Sequence, residues 1–376
     1  MESYIVWHPG EEVSEKHRAW QGCPTIARTK GGRLFAGWLT GGMFEPCIDN
    51  HNILIYSDDN GDTWSDPILA VYSDTEHKIR NIDVQLWVDD DNRLWVTWTR
   101  SPYYKNSVPA TIRTEFPCDY QSEFIGVEAL VCNNPDGDTL VWEDPRVVCG
   151  GFLRCKPTIR QNGDYIFPAY DFSNAETYTL RVSSDKGQTF HDISAAKKPA
   201  GGTFDETMVY EAGTRLHMMA RTNLGYYLAA YSDDDGNTWS EPYEYQKAPS
   251  TRFYIGRLST GQLLFVRNNS DTQRQGMKVS ISEDDGLTWP YALTLDTRDN
   301  VSYPDVAEGE NGTLYIIYDR ERDNRLHLNR NTWMSTAAKE ILISKITVDD
   351  IYRGVIEEDS FTAKVISKGG IDFVEK

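Results

Sequence analysis

Four copies of one short pattern constrain this chain more than any other feature. Ser57, Asp59, Gly61, Thr63 and Trp64 form the first. Ser183, Asp185, Gly187, Thr189 and Phe190 form the second. Ser232, Asp234, Gly236, Thr238 and Trp239 form the third, and Ser282, Asp284, Gly286, Thr288 and Trp289 the fourth. Copies of this kind mean a fold built from one unit used repeatedly. The residue types suit a tight hairpin. Asp bonds nearby backbone amides, Gly takes positive φ, and the closing aromatic tucks beneath the turn. The polar residues of the pattern therefore read as folding staples, not as catalysts.

A second repeat lies between these boxes: a short strand, a Gly or Asn turn, then an apolar strand. Six segments fit it, starting at Pro24, Asp83, Pro157, Glu206, Phe253 and Pro304. Each alternates like a hairpin. A further strand, such as Asn52–Tyr56 or Met277–Ile281, leads into a box. The boxes at 183, 232 and 282 are 49 and 50 residues apart. The longer gap after the first has room for one more unit, whose box survives as a remnant over Asn134–Trp142. The sixth unit has no box, and its outer strands are assigned to Glu340–Ile346 and part of the tail. Thr336–Glu340 is read as a turn or two of helix. The expectation is an all-β chain, one domain over 1–376: a six-bladed β-propeller of four-stranded antiparallel blades. Closing the ring leaves no long exposed sheet edge. Inserts at about Ser101–Glu123 and Arg320–Trp333 are candidate rim loops over a pocket.

Composition agrees with sheet: 11 Trp, 21 Tyr and strands rich in Val and Ile. A net charge of -19 argues against nucleic acid and anionic membranes as partners. No run of 18 apolar residues is present to cross a membrane. The opening Met-Glu-Ser-Tyr-Ile-Val has neither a basic nor an apolar leader segment. The expected location is the cytoplasm, or outside the cell where a leader has been removed. The six cysteines have neither zinc spacing nor the density of a disulfide scaffold, so they are read as reduced, mostly buried thiols. No metal and no cofactor is expected, and oligomeric state is not legible.

In a propeller the inner strand of each blade starts near the axis, and these starts converge on one cavity. They are Gln21 to Cys23, Arg80 to Ile82, Arg154 to Lys156, Asp205 with Glu206, Ser250 to Arg252, and Ser302 with Tyr303. Such a mixture of cations, carboxylates and a phenol suits an anionic or sugar ligand.

With these residues in view, the chain resembles the sialidase superfamily, whose Asp-boxes, or bacterial neuraminidase repeats, match the four patterns. The resemblance covers nearly the whole length. It implies a glutamate opening a blade hairpin and an arginine at its far end, matched by Glu206 and Arg221. It implies a further arginine before the strand of a later box, matched by Arg274, and a nucleophilic tyrosine opening the last blade, matched by Tyr303. The acid/base aspartate is matched by Asp49, with His51 and Glu45 as alternatives, and a one-residue slip would exchange Glu206 for Asp205. One departure stands out. Sialidases carry an Arg-Ile-Pro motif in the first blade, and here Gly22 occupies the arginine's place before Cys23 and Pro24. Arg18, Arg80, Arg154 and Lys156 are candidates to compensate, none at the matching position. Arg221, Arg274, Arg80, Arg154, Lys156 and Gln21 are the candidate substrate-binding set.

The implied activity is an exo-acting retaining glycoside hydrolase that removes a terminal sugar, sialic acid or another, from a glycan. Tyr303 would attack the anomeric carbon with Glu206 as its base, and Asp49 would protonate the leaving oxygen and then activate water. Two other readings fit the residues. One is a non-catalytic carbohydrate-binding propeller. The other is a polysaccharide lyase using His51 or Tyr303 as base.

Overall fold

Each predicted hairpin forms where alternation and turn chemistry place it, and the hairpins associate in chain order. The computed structural model describes residues 4–42, 45, 49–74, 79–102, 126–171, 174–202, 206–321 and 339–369. Blade one contains β1 (Ile5–Trp7), β2 (Gln21–Arg28), β3 (Leu34–Thr40), β4 (His51–Ser57) and β5 (Leu69–Tyr72); β1 is a fifth, outermost strand paired with β5. Blade two is β6 (Ile79–Val88), β7 (Leu94–Pro102), β8 (Gly126–Cys132) and β9 (Arg146–Cys149). Blade three is β10 (Thr158–Ile159), β11 (Tyr165–Phe167), β12 (Thr177–Ser183) and β13 (His191–Lys197). Blade four is β14 (Thr207–Ala212), β15 (Arg215–Ala220), β16 (Tyr226–Ser232) and β17 (Tyr243–Lys247). Blade five is β18 (Tyr254–Arg257), β19 (Leu263–Asn268), β20 (Gln275–Ser282) and β21 (Tyr291–Asp299). Blade six is β22 (Val301–Glu308), β23 (Thr313–Arg320), β24 (Lys339–Thr347) and β25 (Phe361–Gly369). All pairings are antiparallel, and the molecule is a six-bladed β-propeller.

The apolar core is divided among the gaps between blades. Six clusters each draw side chains from two neighbouring blades. One of them joins Ile53 and Ile55 of blade one to Ile317 and Ile343 of blade six and so closes the ring. Among the described residues no strand is shared between the first and last blades, and this cluster lies in the seam with contacts such as Lys368 N–H to Glu15 and Lys364 Nζ to the Gly61 carbonyl.

The boxes connect local sequence to that packing. In each, the serine hydroxyl accepts the glycine N–H at 2.8–2.9 Å, and the aspartate accepts the threonine N–H at 2.8–2.9 Å. Two successive left-handed residues make the turn, as at Asn60 (φ 60°) and Gly61 (φ 85°). The closing aromatic then wedges against the preceding blade: Phe190 against blade two, Trp239 against blade three, Trp289 against blade four and Trp64 against blade six. Trp142 of the remnant does the same against blade one.

Blade six fills its box position differently. Helix α1 (Val348–Arg353) lies between β24 and β25, started by a reciprocal capping box between Thr347 and Asp350 and ended by left-handed Gly354 (φ 70°). Its Ile351 occupies the cluster shared with blade five, where a box aromatic would stand. The helical turn expected over Thr336–Glu340 gives way at Lys339 and Glu340 to strand β24; its other residues lie outside the described ones. The two proposed rim loops also lie largely outside them, as do Cys47 and Cys118. The other four cysteines are buried.

Candidate functional site

Three inner strands break their ladders at the same place. β2 bulges between Gly22 and Thr25, β6 between Ile82 and Gln85, and β22 between Ser302 and Asp305. At each bulge one non-glycine residue takes a left-handed backbone: Cys23 (φ 57°), Asp83 (φ 59°) and Tyr303 (φ 58°). Such a conformation costs roughly 1–3 kcal/mol and persists where its surroundings over-determine it. Here they do. Asp319 accepts the Cys23 N–H at 2.8 Å and the Ser302 hydroxyl at 2.6 Å, tying the first and last blades together through their bulges. All three residues are buried on the axis.

Tyr303 stands at the centre of the cluster. Its hydroxyl donates to Glu206 Oε1 at 2.7 Å and accepts from Arg221 Nη1 at 2.7 Å. Arg221 Nη1 also reaches Glu206 Oε2 at 2.8 Å. The backbone supports this triangle, because the Arg221 N–H donates to the Glu206 carbonyl at 2.8 Å across the β14–β15 hairpin. Three guanidinium groups lie by the Tyr303 ring: Arg252 at 5.0 Å, Arg274 at 5.5 Å and Arg221 at 6.0 Å from its centroid.

A second guanidinium organises the other side. Arg154 donates Nε to Asp83 Oδ2 at 3.0 Å, places Nη2 3.3 Å from Glu45 Oε1 and Nη1 3.6 Å from Glu206 Oε1. Carboxylates from three blades thus share one cation. Burial works against the charge of Arg154, but Asp83, Tyr170 and Glu45 raise its pKa well above the ordinary arginine value. Burial would also raise the pKa of Glu206. The charges of Arg221 and Arg154, with hydrogen bonds from Arg221 and Tyr303, instead lower it to about 2. Glu206 is therefore an anion throughout the physiological range. Cys23, Glu45 and Asp83 each bring a potential metal-ligand atom within 4.8 Å of the others. The cation those carboxylates already hold is Arg154.

The structure thus gathers Tyr303, Glu206, Arg221, Arg274 and Arg154 in one place. Arg274 donates to the Ser250 carbonyl at 3.2 Å and is half-buried. Lys156 lies further along the channel, bonded to the Ile26 carbonyl, to the Val306 carbonyl at 2.6 Å and to Asp305 Oδ2 at 3.0 Å. Gln21 spends its amide inside the protein, on the Lys339 and Ser367 carbonyls, Trp38 Nε1 and Ser367 Oγ, where it joins blade one to blade six. Arg80 is buried on β6 opposite Ser101. Asp49 is exposed on a turn, and its carbonyl meets His51 Nδ1 at 3.2 Å. Its neighbour Glu45 is the carboxylate of that loop that enters the axial cluster. His51 is buried against Tyr72, with ring centroids 4.8 Å apart. Asp205 lies outside the described residues.

Sequence reasoning placed Arg252 among the converging inner-strand starts without giving it a role, and it missed Asp83. The available signal was positional. Asp83 occupies in blade two the place that Tyr303 occupies in blade six, and Arg252 opens the inner strand of blade five.

The chain matches the family model described as BNR repeat-like domain over residues 135–316. It is 26% identical over 262 residues to the anhydrosialidase of the leech Macrobdella decora, an alignment that covers 60% of this chain and 32% of that protein. The match therefore spans about a third of that curated relative. Among solved structures, the intramolecular trans-sialidase from Ruminococcus gnavus in complex with oseltamivir carboxylate superposes with a TM-score of 0.67 at 16% identity, covering 94% of this chain and 99% of the other. The leech intramolecular trans-sialidase gives 0.68 at 16% identity, covering 93% and 71%. A Dyadobacter fermentans protein of unknown function gives 0.63 at 16% identity, covering 85% and 96%. At these identities the superpositions are likenesses of fold.

Proposed function

We propose that this chain is a member of the sialidase superfamily and an exo-acting glycoside hydrolase with Tyr303 as nucleophile and a terminal acidic sugar as substrate. The observation that carries the reading is the Tyr303–Glu206–Arg221 triangle, in which one phenol is bonded at 2.7 Å to a carboxylate acceptor and a guanidinium donor. A phenol is a weak nucleophile until its proton has somewhere to go. Glu206 Oε1 lies where that proton departs, and Arg221 Nη1 is placed to stabilise charge growing on the oxygen.

In the first step the phenolic oxygen bonds to the anomeric carbon, the bond to the aglycon breaks, and the phenol proton passes to Glu206. The leaving oxygen takes a proton from a carboxylic acid on the opposite side of the site. We assign that role to Glu45, protonated and released from its pairing with Arg154 when the substrate's anionic group takes up that cation, in preference to Asp49, because Glu45 lies against the axial cluster while Asp49 is exposed. In the second step Glu45 draws a proton from water, the water oxygen bonds to the anomeric carbon, the bond to Tyr303 breaks and Glu206 returns its proton to the phenol, so the sugar leaves with retained configuration. Arg221 and Arg274 are the cations for the substrate's anionic group. Gly22 pairs with Leu39 in the first-blade strand and supplies no third cation. Arg154, placed among Cys23, Glu45, Asp83 and Glu206, is the guanidinium on that side, and Glu45 and Asp83 already claim part of its charge. The carboxylate clamp is therefore weaker than one made of three unpaired arginines.

A panel of aryl glycosides tests this proposal, read for both substrate and stereochemistry of the product. Release from a sialoside with retention, abolished by Tyr303→Phe, is the expected result. Release from neutral glycosides alone would replace the substrate and keep the nucleophile. Turnover that survives Tyr303→Phe would overturn the mechanism.

A further inference from the structure

We propose that Arg252 is a positioning residue for the nucleophile: it holds the strained backbone of Tyr303 and sets a fixed charge beneath its ring. The inference rests on the assignment of Tyr303 above and concerns how this chain builds it.

Arg252 comes from blade five and is 3% exposed. Its guanidinium makes no short ion pair among the described residues. It donates instead to three main-chain carbonyls: Arg154 at 2.8 Å, Pro24 at 2.8 Å and Tyr303 at 3.3 Å, the last two from one nitrogen. Those carbonyls belong to blades three, one and six. Two of them are available because of the bulges. Neither Tyr303 nor Pro304 has a ladder partner in β22, and the same holds for Cys23 and Pro24 in β2. A bulge leaves its extra residue outside the sheet's ladder. Arg252 donates to a carbonyl at both bulges from across the axis.

The geometry also has an electrostatic consequence. The guanidinium carbon sits 5.0 Å from the Tyr303 ring centroid. Burial opposes the charge on Arg252, yet Cys155, Cys23, Asp305 and Glu206 raise its pKa, and a guanidinium keeps its charge in a protein. A fixed cation at that distance favours the phenol as it becomes anionic and favours the same oxygen as a leaving group in the second step. Lysine cannot replace the planar fork at several acceptors, though it can keep the charge. Glutamine can keep a donor but not the charge.

Arg252→Lys and Arg252→Gln separate these two contributions. Thermal melts establish that each is folded, and kinetics on aryl glycosides of graded leaving-group pKa then read the first chemical step. Arg252→Gln is expected to lower kcat by about 100-fold, the scale of a nucleophile displaced by an ångström, with KM within about threefold of wild type. Its kcat should become dependent on leaving-group pKa because attack by Tyr303 limits the rate. Arg252→Lys should fall between this variant and wild type. A residue with only a structural role would move the melting temperature and leave that dependence unchanged. Wild-type kcat and leaving-group dependence in a folded Arg252→Gln, or in Arg252→Lys where the glutamine variant does not fold, would overturn the proposal. Tyr303→Phe is measured alongside. If it stays active the nucleophile assignment fails, and if it is dead while both Arg252 variants behave as wild type, only the role of Arg252 fails.

Discussion

The Tyr303 hydroxyl donates to Glu206 Oε1 at 2.7 Å across 97 positions of chain, from blade six to blade four. Both side chains are 1% exposed, so bulk water does not compete for that proton. Tyr303→Phe removes the attacking oxygen and leaves the ring among its three arginines. Glu206→Gln keeps an acceptor and removes the base. Each is expected to lower kcat about 10²–10⁴-fold, measured as initial rates on the aryl glycoside the wild type turns over fastest. The phenylalanine variant should melt within a few degrees of wild type. A phenylalanine variant with undiminished kcat would contradict the assignment.

Arg221 should matter to stability as well as to turnover. It is the nearest countercharge to a carboxylate buried at 1% exposure. Arg221→Met leaves Glu206 with Arg154 at 3.6 Å as its remaining close cation. Breaking one side of a buried ion pair costs about 3–5 kcal/mol, and the second arginine brings the expectation to the low end, about 3 kcal/mol by urea denaturation. Adding Glu206→Gln to Arg221→Met should recover part of that loss. If the double variant is no more stable than Arg221→Met, the pair is not what holds this part of the axis.

Much of this arrangement was legible in the sequence because it is periodic. Boxes and hairpins recur, so blade boundaries, inner strands and the convergence of Glu206 and Tyr303 followed from counting, while Arg221 and Arg274 were named by the resemblance to sialidases. What does not recur was harder to read. Helix α1 stands in for a box aromatic through Ile351, a substitution of shape that no spacing announces. Asp49 and Glu45 share one loop, and nothing in a linear pattern says which carboxylate turns inward. Gln21 and Lys156 sit at or near inner-strand starts like the other site residues. Their partners are main-chain carbonyls and packed neighbours, which are visible only once the blades have closed.

His51 provides a pH test remote from the chemistry. Burial lowers its pKa to about 4, because the neutral ring packed on Tyr72 is favoured over the charged one. In the unfolded chain it titrates near the ordinary value of about 6.5. The unfolded state therefore binds the proton first as pH falls. The stability His51 contributes is complete above about pH 6.5 and lost progressively toward pH 4. Melting temperatures across that window should fall with acidification in the wild type and fall less steeply in His51→Gln. Parallel curves would show that the fold does not lower the His51 pKa.

The boxes predict a different acid response. Asp59, Asp185 and Asp284 have their pKa values lowered to about 2, first by the Thr63, Thr189 and Thr288 hydroxyls and then by the backbone N–H groups of the same threonines. Their contribution is present above the unfolded value near 4 and disappears as pH falls toward 2. Asp284→Ala should lower the melting temperature at pH 7 and leave kcat and KM unchanged, because the turn sits at the outer rim between β20 and β21. An altered KM in a folded Asp284→Ala would mean that the box reaches the site.

The channel plug gives the sharpest stability test. Lys156 reaches Asp305 Oδ2 at 3.0 Å, and the same oxygen accepts the Thr25 hydroxyl at 2.7 Å and the Ile26 N–H at 2.9 Å. One carboxylate thus joins blades one, three and six just beneath Tyr303. Lys156→Met should destabilise by about 3–5 kcal/mol, since it leaves a buried carboxylate without its cation. Asp305→Asn keeps two acceptor contacts and should be milder, because the burial that already lowers the Lys156 pKa lets the amine shed its proton. The double variant should be more stable than Lys156→Met alone, an interaction that a double-mutant cycle reads directly. Additive losses in that cycle would mean that the two side chains act independently, and that the seam between the first and last blades is held by the Arg252 and Asp319 contacts above them.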